Sequence, residues 1–153
     1  MRKILMKNNF ILGCVFALFI PVVIAQKSLS PAFYINADVI MSALEESVGL
    51  RKNVALGPII TSGDDYHINL LRRTAGGGAI VHEEATELHY ITEGAGILVT
   101  GGVVIEPADG GVANIEQGYQ QRVTAGDAIL IPEGTPHQYK SVEGSVSYLE
   151  VRF

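Results

Sequence analysis

Residues able to hold a metal ion fall into two short stretches of this chain. The segment from His82 to His89 supplies two imidazoles and the carboxylate of Glu87. The segment from Gly126 to His137 reads as a short apolar strand, a turn built on Pro132 and Gly134, and a strand that opens with a third imidazole. Gly134 can take the positive φ that such a turn asks for. If 83–86 is a four-residue hairpin loop, His82 and Glu87 face each other across the ladder, with Cβ atoms about 4.5–5.5 Å apart. Ile80 and His89 are then the next pair on the same face. His82, Glu87 and His89 would point into the interior and Leu88 and Tyr90 outward, an arrangement that a one-residue slip in register would destroy. Tyr139 shares the face of His137 and is the first candidate for proton transfer. Three imidazoles and a carboxylate suit a divalent ion such as Fe, Mn, Zn or Ni, and two His with one carboxylate leave coordination positions open for a substrate.

The elements that must position these groups are mostly strands. Asn36 or Asp38 caps a helix running to about Ser47, with Val39, Ile40, Ala43, Leu44 and Val48 on one apolar face that packs on the outside of a sheet. From Val54 onward, apolar or alternating runs at 54–60, 66–73, 79–82, 87–93, 97–100, 121–124, 128–131, 137–140 and 145–153 predict strands. Turn signals separate them at 62–65, 76–78, 101–102, 110–111 and 143–144. Residues 101–120 show little strand pattern and are expected to form a long loop over one mouth or a further hairpin. Many short strands behind one helix predict a sandwich or barrel.

The N-terminus has the three parts of a secretory signal peptide. Arg2, Lys3 and Lys7 precede an apolar run from Phe10 to Ile20, Pro21 breaks it, and small residues lead to Ala25. The run is short for a membrane span, which needs roughly 20 apolar residues. A lipid anchor at Cys14 is excluded because the apolar run continues beyond it. Cleavage after Ala25 would remove the only cysteine and leave 8 basic against 16 acidic residues, taking the formal charge from −5 to −8. Such a balance excludes nucleic acid and anionic membranes as partners of the mature form. The expected organisation is a leader at 1–25, a lead-in and helix at 26–53 and one β-domain at 54–153, exported to the periplasm or the medium.

The two segments resemble the cupin family. Its second motif, Gly-x5-Pro-x-Gly-x2-His-x3-Asn, is met at Gly126, Pro132, Gly134 and His137, with Ser141 in the last position. Its first motif, Gly-x5-His-x-His-x3,4-Glu-x6-Gly, is met from the second histidine on, at His82, Glu87 and Gly94; Ile80 stands where the first histidine falls, and Thr74 where the leading glycine falls. The resemblance implies an all-β, single-domain cupin, a double-stranded β-helix or jelly-roll-like barrel, here behind a short N-terminal α-helix. It further implies a metal held by His82, Glu87 and His137, with His89 replacing the ligand missing at Ile80 from across the hairpin, and pairing as a homodimer through outer strands. Cupins include oxygenases, isomerases, lyases, storage proteins and sugar-binding domains. Whether this chain is an enzyme is therefore left open. One reading is a metal-dependent enzyme acting on a small polar molecule. The alternative is a non-catalytic binding module for a sugar or organic acid, with a degraded metal site; a scaffold or storage role is a third.

Other polar residues are assigned blander places. His67 is a surface or supporting histidine, Glu83 and Glu84 are solvated loop residues, and Tyr66 packs in the core. Arg72, Arg73 and Arg122 are strand-edge surface residues, the alternative being a cation for an acidic substrate. The three glycines 76–78 are no phosphate loop, since no helix follows them.

Overall fold

The computed structural model describes residue 32 and residues 34–62 and 66–153. The expected leader at 1–25 lies outside these residues, as does most of the lead-in. Helix α1 (Ala37–Glu46) starts where the side-chain oxygen of Asn36 accepts a hydrogen bond from Val39 N–H at 3.0 Å, so the first of the two predicted caps is the one used. Its apolar face is narrower than expected. Leu44 is fully buried, whereas Val39 and Val48 are exposed. The helix sits on strand β1 (Val54–Ser62), and so closely that a Cβ at Gly57 would lie 2.8 Å from Leu44 N.

The remaining strands are β2 (Tyr66–Arg73), β3 (Glu87–Thr100), β4 (Val103–Ile105), β5 (Asn114–Glu116), β6 (Tyr119–Thr124), β7 (Ala128–Ile131) and β8 (His137–Arg152). All pairings are antiparallel. The main sheet runs β1-β2-β8-β3-β6, β7 adds to the β6 side of β3, and β4 pairs with β5 apart from them. The core between the sheet faces is Leu71, Ile91, Leu98, Val123, Tyr139, Val146 and Tyr148. The all-β class with one short helix is as the sequence implied.

Three expectations are corrected. Residues 87–93 and 97–100 belong to one strand, as do 137–140 and 145–153; the glycines between them mark register shifts rather than turns. At Gly94, φ is +76° and the Ser145 carbonyl occupies the space a side chain would need, so the chain bends there without leaving the sheet. Within 101–120, Val103–Ile105 and Asn114–Glu116 pair as the hairpin β4–β5, the second of the two alternatives, and Tyr119 already opens β6. Residues 79–82 are not a strand: only Ile80 bridges, and it bridges to His137. The reason lies in β3, whose two hydrogen-bonding edges are already taken by β8 on one side and by β7 and β6 on the other. The hairpin facing His82 to Glu87 and Ile80 to His89 therefore does not exist.

Candidate metal centre

The β3 register places what the missing hairpin was expected to place. Glu87 lies between Ile131 of β7 and Arg152 of β8, and His89 lies between Ile129 and Glu150. Alternation along β3 sends both side chains inward, each 1% exposed, while Leu88 and Tyr90 face out. His137 enters from the first residue of β8 and is buried. His82 lies just before the 83–84 turn and is held by the other motif: Gly134, at φ +69°, donates its N–H to the His82 carbonyl at 2.8 Å. The two sequence motifs thus meet through their backbones as well as their side chains.

Glu87 is the hub. Its Oε1 is 2.9 Å from His82 Nε2 and 2.9 Å from Arg152 Nε. Its Oε2 is 3.2 Å from His137 Nε2 and 3.3 Å from His89 Nε2. Glu150 stands behind, with Oε2 3.9 Å from His89 Nε2 and Oε1 receiving hydrogen bonds from Asn69 and Arg152. Two triads of close donor atoms share Glu87: His82–Glu87–His137 and Glu87–His89–Glu150. Burial opposes ionisation of Glu87, but the close imidazoles of His137, His89 and His82 hold its pKa well below the usual carboxylate range. Burial lowers the pKa of His82; the charge of Glu87 opposes this, and Arg152 adds to it.

A divalent ion fits this donor set. His137 Nδ1 is 3.2 Å from the Thr135 carbonyl, which can only accept, so that nitrogen carries a proton and leaves Nε2 as the ligand atom of the neutral ring, facing Glu87 Oε2. A ring nitrogen facing a carboxylate at that distance needs positive charge between them, which a metal ion or a second ring proton supplies. Glu87 Oε2 and His89 Nε2 are both buried without a hydrogen-bond partner, an expensive arrangement unless an ion satisfies them. Separations of 2.9–3.3 Å are those of neighbouring ligand atoms whose bonds to one ion are about 2.1 Å long.

Tyr139 is buried behind His89, not in the cavity wall. Its hydroxyl is 3.3 Å from His89 Nδ1 and its ring stacks on Tyr148 at 4.9 Å. Burial, and next Tyr148, push its pKa far above the ordinary tyrosine value, so it stays protonated. Tyr148 is pushed up to about 12, again by burial first.

A cavity of about 240 Å³ opens onto the cluster, lined by His82, His89, His137, Tyr148, Glu150 and Arg152 among others. Glu150 and Arg152 escaped the sequence reading. Their signal was the alternation Tyr148, Glu150, Arg152, which puts them on one strand face; nothing in the sequence said that this face was the inner one. Arg73 was set aside as a surface residue but also lines the cavity. Arg72 and Arg122 do lie outside, paired with Glu45 at 2.8 Å and Glu143 at 2.7 Å. His67 is half-buried and lines a neighbouring pocket with the exposed Glu83 and Glu84. No described helix is long and apolar enough to cross a membrane.

The comparisons agree with this architecture. Residues 81–153 match the family model described as an AraC-like ligand-binding domain. Among solved structures, KdgF from Halomonas sp. is similar at 17% identity over 67% of this chain and 82% of its own, with a TM-score of 0.51. A Bacillus halodurans protein is similar at 19% identity over 80% and 81%, with a TM-score of 0.51. The Fe(II) form of HppE is similar at 14% identity over 69% and 54%, with a TM-score of 0.51. No curated protein matches the chain in sequence. The chain therefore has the cupin fold of these structures, and its residues 81–153 match the AraC-like ligand-binding domain model.

Proposed function

We propose that this protein is an exported cupin that binds one divalent metal ion through His82, Glu87 and His137, with His89 as the fourth donor, and acts on a small polar molecule in the adjoining cavity. The observation that carries the proposal is the pair of partnerless buried atoms, Glu87 Oε2 and His89 Nε2, beside Nε2 of His137. When bound, such an ion acts as a Lewis acid on a ligand oxygen, or supports dioxygen chemistry if it is iron. The chain's own residues do the rest. Arg152 and Asn69 fix the carboxylates of Glu87 and Glu150, Thr135 fixes the tautomer of His137, and Tyr139 orients His89 through Nδ1. Tyr139 is thus proposed as a positioning residue rather than as the proton donor to substrate, because the imidazole stands between it and the cavity.

A second reading, a non-catalytic binding module for a sugar or organic acid, is favoured by the ligand-binding family that residues 81–153 match. Pairing of two copies belongs to the same proposal. Leu130, Leu88 and Val151, and beside them Ala128, Tyr90 and Leu149, form two cross-strand rows on the outer face of β7, β3 and β8, where Leu130 is 61% and Tyr90 45% exposed. Such a face is suited to a second copy.

Metal content of the purified protein, beside His82→Ala and His137→Ala, tests the central claim. Stoichiometric metal that is lost in both variants supports it. Folded wild-type protein that takes up no divalent ion after reconstitution refutes it and leaves the binding module.

A further inference from the structure

The cavity carries surplus positive charge, although the chain as a whole is at −5. Three guanidinium groups line it, those of Arg51, Arg73 and Arg152, against the carboxylates of Glu87 and Glu150. Arg152 is committed to both of those carboxylates, at 2.9 and 3.1 Å, and Arg51 is exposed at the mouth. Arg73 is neither. It points inward from the end of β2, and among the described residues no carboxylate lies within the 4.0 Å of an ion pair. Its Nε donates to the Tyr148 hydroxyl at 2.9 Å, and its guanidinium carbon lies 5.3 Å from the Tyr139 ring centre and 5.9 Å from that of Tyr148. These contacts aim the group without neutralising it. A guanidinium offers five N–H donors in a planar fork that matches a carboxylate, and here one is used. Tyr148 is fully buried and accepts from Arg73, so its hydroxyl holds the guanidinium in place.

We propose that Arg73, positioned by Tyr148, forms a carboxylate-binding subsite, so that the ligand of this cavity is a small organic acid, its carboxylate on Arg73 and another of its oxygens toward the His/Glu cluster. The proposal rests on the cavity being the ligand site and adds the chemical class of the ligand. The neighbouring Arg72 serves as an internal contrast. It faces outward, where Glu45 and Ser147 occupy it at 2.8 and 3.4 Å.

The test is calorimetric titration of the protein as expressed, metal-loaded and chelator-stripped, with two matched pairs: glucuronate against glucose, and malonate against malonamide. Acids are expected to bind and their neutral twins not. Arg73→Gln is expected to raise the Kd of the acids about tenfold to a hundredfold, with metal content unchanged. Tyr148→Phe weakens them less and keeps the packing, which guards against a misfolded Arg73 variant, and Arg72→Gln has no effect. Equal binding of neutral twins, unchanged acid affinity in folded Arg73→Gln, or no acid binding in the millimolar range would each overturn the proposal. Acid binding by protein that takes up no metal would refute the metal reading and leave this one standing; metal uptake without acid binding would do the reverse.

Discussion

Replacing Glu87 by Gln removes the one charge on which the whole cluster converges while keeping its shape. In metal-free protein the carboxylate is 1% exposed and takes 2.9 Å contacts from Arg152 and His82. Breaking a fully buried ion pair by removing one partner costs about 3–5 kcal/mol. Here Arg152 keeps Glu150 at 3.1 Å and its side chain is 27% exposed. Gln also retains an acceptor oxygen, so the expected cost is about 2 kcal/mol, or a Tm lower by roughly 6–10 °C for a domain of this size. The pH dependence follows from two shifts. Glu87 has a depressed pKa; its contribution is complete above the unfolded value of about 4.3 and is lost only as pH falls through the lower folded value. His82 is also lowered; the folded state resists its protonation, so stability is full above about pH 6.5 and declines below it. Glu87 is the charge that opposes this decline, and the variant lacks it. The gap between wild type and variant should therefore widen between about pH 7 and pH 5. Thermal melts by circular dichroism in the presence of chelator measure it. A variant as stable as wild type at pH 7, or a gap that narrows on acidification, would refute the reasoning.

Tyr139→Phe should lower metal affinity about 10–100-fold by releasing His89, read by competition with a chromogenic chelator, while far-UV dichroism stays unchanged. Gly94→Ala forces a side chain into a left-handed conformation against the Ser145 carbonyl and should cost about 3 kcal/mol in denaturant melts. Leu130→Glu places a charge in the outer apolar face and should convert a dimer to monomer by light scattering, leaving metal content untouched.

The sequence carried the identity of the donors better than their geometry. His82, Glu87 and His137 were legible because motif spacing fixes which residues a turn can bring together, and the fold of the Pro132–Gly134 turn followed from its residue types. His89 was found by a hairpin that does not exist; it converges anyway, because residues two apart on β3 share a face whatever the partner strand. Strand partners were not legible, since pairing is decided by long-range contacts that periodicity does not encode. Hence Glu150 and Arg152 went unread as cavity residues, and Arg73 entered only as the alternative to a surface place: a charged residue in an alternating strand looks solvated until the sheet order buries it. The glycine at 144 was read as a turn because a bulge and a turn ask for the same φ.

The cluster is built across the seam of β3 and β8, with Glu87 and Arg152 65 residues apart in the chain. No local segment can assemble it, so it exists only once this long-range pairing has closed. Metal bound there is linked to global unfolding rather than to the fraying of a loop. Ion at a thousand times its Kd would add about 4 kcal/mol to the opening that exposes the β3 and β8 amides. Hydrogen exchange at those amides should then slow by about three orders of magnitude, while the edge hairpin β4–β5 should exchange at its metal-free rate.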